Sequence, residues 1–375
     1  MMDTQTSAQL PDRKAPKKPG KPAKPAWLKR REAEAEIEKL LIARTGAHPA
    51  AMTVADAHRL YMAAVHQGRA SCARRPNKPR TILDKTEIYK RDIAPILGTK
   101  DIHEVTETDL VLLVHAKGRT ARVRANRLAA ELRVFFGWAA SLRGLEVGLQ
   151  TDPSARLGQI RFSERARSRT LTLCEIGWFL LGVAEEPEGF RRGWLLMLLT
   201  AVRRSELTQA RSREVADDIW TIPATRSKNG LEHSVALGPW GRSLIVSDSD
   251  WILPADRVPG PRTYGWSKSR DRILARMSAL AGHRIERFAP HDFRRTARSN
   301  TKRLRVDFET AEAMLNHAKR GLERTYDTYE LEDEKKEWFL KWEAEIVGIA
   351  LQARLGDVLG IPVAARLAAL ERAPG

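Results

Sequence analysis

The second half of the chain carries, in order, the side chains that breaking an anionic ester bond would need. Thr200-Ala201-Val202-Arg203-Arg204-Ser205-Glu206-Leu207 puts an arginine directly after an apolar run. Glu206, three residues on, reaches Arg203 across one helical turn. Lys228 precedes Asn229-Gly230, and His291-Asp292-Phe293-Arg294 sets a base and a cation three apart at a helix start. Leu315-Asn316-His317 follows, and Tyr326 stands nine residues after His317. A phosphodiester gains charge on its nonbridging oxygens as it is attacked, so preorganised cations stabilise the transition state. Arginine suits this best because its planar fork meets two oxygens at once. A tyrosine hydroxyl has a pKa of about 10, so it needs a base to become a nucleophile. The leaving oxygen in turn needs a proton. Tyr329 and Tyr264 are rivals for the nucleophile, and each residue alone is weak. The order and spacing of the six carry the reading.

Composition sets the partner. The 375 residues hold 65 Lys and Arg against 47 Asp and Glu, a net charge of +18. Self-repulsion on that scale is relieved by a polyanion, and nucleic acid is the usual one. No apolar stretch approaches the roughly 18–20 residues that span a bilayer. The polar, basic N-terminus does not read as a signal peptide. Cys72 and Cys174 are the two cysteines, which suits a reduced, cytoplasmic chain. No cysteine cluster and no acidic set stands at metal-ligand spacing, which is consistent with chemistry that uses no metal or other cofactor.

The elements that must position these residues follow from periodicity. Residues 1–45 form a Lys/Pro/Ala-rich arm, read as disordered, that either touches phosphates or keeps the chain soluble. A short helix is expected over Glu32–Ala43. From 50 to 155 an all-helical domain is predicted. Its helices begin behind Thr53, run through Ile82–Arg91 to an end near Pro95, and open again at the capping box Thr106–Asp109. A long helix spans Arg119–Trp138. One face of it is apolar, and Arg119, Arg122, Arg124, Arg127 and Arg133 form a cationic face suited to DNA. A polar, Arg-rich linker then leads to a second domain over 165–349, mainly α with a small β-hairpin. That domain opens at the capping box Thr172–Glu175. Strands at Trp220–Pro223 and His233–Leu237 flank Asn229-Gly230, a strong hairpin signal that places Lys228 at the tip. Helices return at about 267–280, 294–304 and 309–315. An amphipathic tail from Asp333 carries Trp338 and Trp342, which serve either the core or an interface. Residues 350–375 form a helical tail.

The set from Arg203 to Tyr326 resembles the tyrosine recombinase (phage integrase) family: an Arg before Ser-Glu-Leu, a hairpin Lys, His-x-x-Arg, a further His and a Tyr nine residues on. Trp220-Thr221-Ile222-Pro223, His291-Asp292-Phe293-Arg294-Arg295-Thr296-Ala297-Arg298, and Tyr326-Asp327-Thr328-Tyr329 leading into Glu334-Lys335-Lys336 resemble integrases of prophages and genomic islands. The resemblance is specific over about 200–345 and weaker over 50–150, where it implies a SAM-like core-binding domain. It implies that Arg203 and Arg294 clamp the scissile phosphate and that Glu206 supports Arg203. His291 would assist proton transfer at the nucleophile, Lys228 would protonate the leaving 5′ hydroxyl, and His317 would donate to a phosphate oxygen. Tyr326 would form a 3′-phosphotyrosine that stores the bond energy, so that neither ATP nor metal is needed. Implied partners are double-stranded DNA, a homotetramer on synapsed sites, and accessory DNA-bending or directionality proteins, with no membrane. Two positions depart from the pattern: Ala201 and Asn316 stand where glycine is common. A catalytically silent DNA-binding protein of this fold, a type IB topoisomerase and a metal-dependent nuclease built on His291-Asp292 remain as alternatives. The complete set of six disfavours the first. The small helical domain disfavours the second, and the lack of further ligands the third.

Overall fold

The computed structural model describes residues 51–71, 76–165, 167–245, 248–317 and 331–372. The arm at 1–45 with its Glu32–Ala43 helix, Cys72, Arg74, Arg75, Tyr326 and Tyr329 lie outside the described residues. The chain divides into two compact units, residues 1–166 and 167–375.

The first unit is built from helices. Thr53 Oγ1 accepts the Asp56 N–H (3.1 Å) and starts α1 (Val54–His66). α2 (Pro79–Ile88) passes through a wide π-type turn (Tyr89–Ile93) into a last α-turn, Ala94–Leu97. The helical path therefore runs past Pro95 instead of ending there. The wide turn shifts the hydrogen-bond register just before the ring that lacks an N–H. α3 (Glu107–Thr120) opens at the reciprocal cap in which Asp109 N–H donates to Thr106 Oγ1 (3.2 Å) and Thr106 N–H to Asp109 Oδ2 (2.8 Å). The single helix expected over Arg119–Trp138 is two. Ala121, at φ −153°, breaks the chain between α3 and α4 (Arg122–Ala139). Arg119 thus belongs to α3, and Arg122, Arg124, Arg127 and Arg133 to α4; all five are exposed. Leu128, Leu132, Phe135 and Phe136 of α4 are fully buried with Val54, Ala57 and Tyr61 of α1. Lys85 pairs with Glu131 (2.8 Å) and donates to the Tyr61 hydroxyl (2.7 Å), tying α2 to both inside that core. Part of the Arg-rich stretch packs on this unit. Leu157 is buried, and Phe162 exchanges two backbone hydrogen bonds with the Asn126 side chain (2.9 and 3.0 Å).

The second unit wraps helices and a small sheet around one apolar core. α5 (Leu173–Ala184) starts at the reciprocal Thr172/Glu175 cap, and α6 (Glu188–Thr200) is buried from Gly193 to its end. After the short α7 (Arg204–Thr208) come β1 (Val215–Ala216), β2 (Ile219–Ile222) and β3 (His233–Ala236), an antiparallel sheet in the order β1-β2-β3. The register pairs Ile219 with Ala236 and Ile222 with His233. Two features differ from expectation. β1, only 2 residues long, is too short to show alternation. The β2–β3 connection covers 223–232, so Asn229-Gly230 lies within a long loop rather than forming a two-residue turn. α8 (Pro239–Ser243) and α9 (Trp266–Ala281) follow. α10 (Pro290–Asn300) starts four residues before the expected 294, because Pro290 supplies a preset first turn. α11 (Phe308–Ala313) precedes α12 (Glu332–Gln352) and α13 (Val363–Arg372). Trp338 and Trp342 of α12 are 0% exposed, and the Trp342 indole N–H donates to the Leu198 carbonyl (2.8 Å). That stripe is therefore core of its own unit. The tail joins the same core through Leu355, Leu359, Ile361, Ala365 and Ala369.

Candidate active site

The end of α6 sets the first cation. Ala201 takes a left-handed conformation (φ 51°, ψ 20°), which turns the chain out of the buried helix. That explains why glycine would suit the position and why alanine there carries strain of about 1 kcal/mol. Two residues on, Arg203 caps α7. Its backbone N–H donates to Glu206 Oε2 (2.9 Å), and its Nη1 to Oε1 (2.9 Å). Glu206 is 2% exposed, so the carboxylate is a fixed internal brace.

α10 supplies the second cation. Arg294 is 2% exposed and donates from Nη1 to the Ala201 carbonyl (2.8 Å), which brings it to the turn that carries Arg203. Its Nε and Nη2 have no hydrogen-bond partner among the described residues. Burial, and after it the Arg203 charge, depresses the Arg294 pKa to about 9. One turn earlier, His291 is held below its usual range. The causes are burial and then the charges of Arg295, Arg294 and Arg203, opposed by Asp292. Asp292 is fully buried. It accepts the Ala289 N–H (2.8 Å) and pairs with Arg167 (2.7 Å) and Arg295 (3.0 Å), so α10 is anchored at the end that presents His291.

His317 completes the described wall. Its Nδ1 donates to Glu312 Oε2 (2.6 Å), and the other Glu312 oxygen takes Arg298 Nε (2.9 Å). Against burial, which pushes it up, these two bonds hold the Glu312 carboxyl below its ordinary range. His291, Arg294, Arg295, Arg298 and His317 line one open cleft of about 360 Å³ with Ser168 and Thr170. Lys228 is exposed in the β2–β3 connection and is not among the cleft's lining residues. Its neighbour Asn229 bonds to Asn316, next to His317. Tyr326 lies outside the described residues.

Several supporting groups escaped sequence reading. Asp292 was visible as part of His-x-x-Arg and as a metal-ligand candidate beside His291 but not as an anchor, and nothing local marks Glu312 as a partner of His317. His233, read only as a strand residue, is buried with no partner on Nε2 among the described residues. Burial, then the Lys335, Arg294 and Arg203 charges, push its pKa to about 3, so it stays a neutral neighbour of the cation cluster. Among the described residues, no group of three or more His, Cys, Asp or Glu is placed to hold a metal ion. No helix among them is long and apolar enough to cross a membrane.

No family model and no curated protein matches the chain. Solved structures do. A lambda integrase tetramer bound to a Holliday junction aligns with TM-score 0.57 and 17% identity, over 78% of this chain and 87% of that one. A lambda integrase (75-356) dimer bound to a COC' core site gives 0.55 and 17%, over 73% and 95%. The Tn1549 transposon integrase in complex with transposon right end DNA gives 0.53 and 13%, over 73% and 97%.

Proposed function

We propose that this chain, which has the tyrosine recombinase fold, is a site-specific DNA recombinase that cuts and rejoins strands through a 3′-phosphotyrosyl intermediate. Fold alone does not decide function. The observation that carries the reading is a buried guanidinium, Arg294, with two donor nitrogens that find no acceptor among the described residues, at the turn that carries the braced Arg203 and in one cleft with His291 and His317. A buried cation left short of acceptors is costly unless an anion arrives. A phosphodiester is such an anion, and the net charge of +18 suits its carrier.

The steps follow from these positions. Arg203 and Arg294 hold the nonbridging oxygens, and His317 donates to one of them. Tyr326 attacks phosphorus as His291 takes up its proton, for which a neutral imidazole is required. The bond to the 5′ oxygen breaks, and that oxygen takes a proton from Lys228. The phosphotyrosyl bond keeps the ester energy, so the reverse attack by another strand's 5′ hydroxyl restores DNA without ATP. The positive charge comes from side chains, so no metal is required. The exposed arginines Arg119, Arg122, Arg124, Arg127 and Arg133 contact the DNA backbone, and four copies act on two duplexes. Lambda integrase as a tetramer on a Holliday junction supports that arrangement.

The test is a covalent trap. Nicked duplexes made from the DNA flanking the gene lose, after cleavage, the short fragment that carries the new 5′ hydroxyl, which leaves protein attached to the other side through its 3′ phosphate. An adduct stable to denaturant is expected. No adduct, or relaxation of supercoiled DNA without site dependence, overturns the reading.

A further inference from the structure

We propose that Asn316 is a positioning residue, clamping the β2–β3 connection that carries Lys228 onto the turn that presents His317. Asn316 is 8% exposed and sits at φ 47°. Its Nδ2 donates to Ser227 Oγ (3.1 Å) and to the Leu231 carbonyl (3.4 Å). Asn229 returns two bonds from its own Nδ2, to the Asn316 carbonyl (2.8 Å) and Oδ1 (2.9 Å). Ser227 Oγ and the Leu231 N–H both donate to Asn229 Oδ1 (2.6 and 3.1 Å). The bonds therefore fall at 227, 229 and 231, on both sides of Lys228. Asparagine meets both demands of the site: it tolerates the left-handed backbone, and its amide donates and accepts. Glycine would meet the first demand and lose the clamp, while aspartate has no donor for Ser227 or Leu231.

The Lys228 ammonium sits at the end of four methylenes, so the backbone on either side of it sets where that ammonium can reach. The inference rests on the recombinase reading, in which the Tyr326 oxygen bonds to phosphorus, the bond to the 5′ oxygen breaks, and Lys228 gives that oxygen its proton. Replacing the bridging 5′ oxygen by sulfur removes the need for the proton, because a thiolate leaves unprotonated.

The test compares adduct formation by the full chain on nicked duplexes with oxygen or sulfur at the bridging 5′ position. Wild type cleaves both. Asn316→Gly, which relaxes the backbone and deletes only the amide, is expected to cleave the oxygen substrate ~10–100-fold more slowly and the sulfur substrate at the wild-type rate, as Lys228→Ala does. Asn229→Ala, which leaves the conformation of residue 316 alone, is expected to give the same pattern. A wild-type rate with oxygen, or an equal loss with both substrates, overturns the clamp while leaving the recombinase reading intact. A wild-type chain that forms no adduct on either substrate overturns that reading and the clamp's role with it.

Discussion

Replacing Arg294 by methionine should make the protein more stable while abolishing its chemistry. The guanidinium is 2% exposed, and its pKa falls from 12.5 to about 9, chiefly through burial and then the Arg203 charge. At ~1.4 kcal/mol per tenfold change, that drop sets a ceiling of ~5 kcal/mol on the cost of keeping the charge inside. Against it stands, among the described residues, one hydrogen bond, from Nη1 to the Ala201 carbonyl, whose loss leaves a buried acceptor unsatisfied at ~1–3 kcal/mol. Methionine fills much of the same volume without a charge. The net expectation for Arg294→Met is a gain of ~1–3 kcal/mol, in line with other buried charges replaced by apolar residues. That is ~2–12 °C in Tm for a unit of this size. Eight of the 10 tryptophans lie in the second unit, so tryptophan fluorescence during urea unfolding reads the right part of the chain. A second arm adds inorganic sulfate, which should raise the wild-type Tm by more than that of Arg294→Met, over the general stabilisation that sulfate gives both. A variant destabilised by more than ~1 kcal/mol would refute the reasoning, since Arg294 would then be a structural donor to Ala201 rather than a charge held ready for an anion.

Other outcomes follow from the same contacts. Burial, and then the charges around it, keep His291 neutral to lower pH than an ordinary imidazole, so the acid limb of the cleavage rate should fall below pH ~6.5. Arg295→Gln removes a like charge, raises the His291 pKa and should move that limb to higher pH; a limb that stays put or moves down would contradict the assignment of His291 as the base. Glu206→Ala strips a buried brace from Arg203 and should cost ~3–5 kcal/mol in urea unfolding along with cleavage; a loss under ~1 kcal/mol would mean that the brace is energetically idle. Glu312→Gln replaces the carboxylate on His317 Nδ1 by a neutral amide and should slow adduct formation by roughly 10-fold with little change in Tm; an unchanged rate would remove His317 from the phosphate. Changing Arg122, Arg124 and Arg127 together to Gln should flatten the log–log salt dependence of DNA affinity by up to ~3; an unchanged slope would place the DNA on another face.

What was legible in the sequence was local. The caps at Thr53, Thr106 and Thr172 follow from residues three apart, and the structure forms all of them. The spacing of Arg203 to Glu206, and of His291 to Arg294, likewise describes one helical turn. What was not legible depends on contacts distant in sequence or on backbone states that leave no periodic trace. Pro95 reads as a helix end unless the π-type turn before it is known. The break at Ala121 has neither glycine nor proline to announce it. Asn229-Gly230 signals a tight turn, yet Asn229 is held by Asn316, 87 residues away, and the connection opens around that contact. Ala201 and Asn316 stood out only as departures from glycine; their left-handed backbone supplies the reason. The tryptophan stripe of α12 was ambiguous because amphipathicity does not say which surface covers it.

The central claim, that Tyr326 is the nucleophile, is tested most directly by mapping the adduct. The trapped complex is digested with nuclease and protease, and the nucleotide-bearing peptide is sequenced by mass spectrometry, for wild type, Tyr326→Phe and Tyr329→Phe. The account predicts a 3′-linked nucleotide on Tyr326 in wild type and in Tyr329→Phe, and no adduct with Tyr326→Phe. An adduct that persists in Tyr326→Phe, or a nucleotide on any other residue of the wild-type chain, would contradict it.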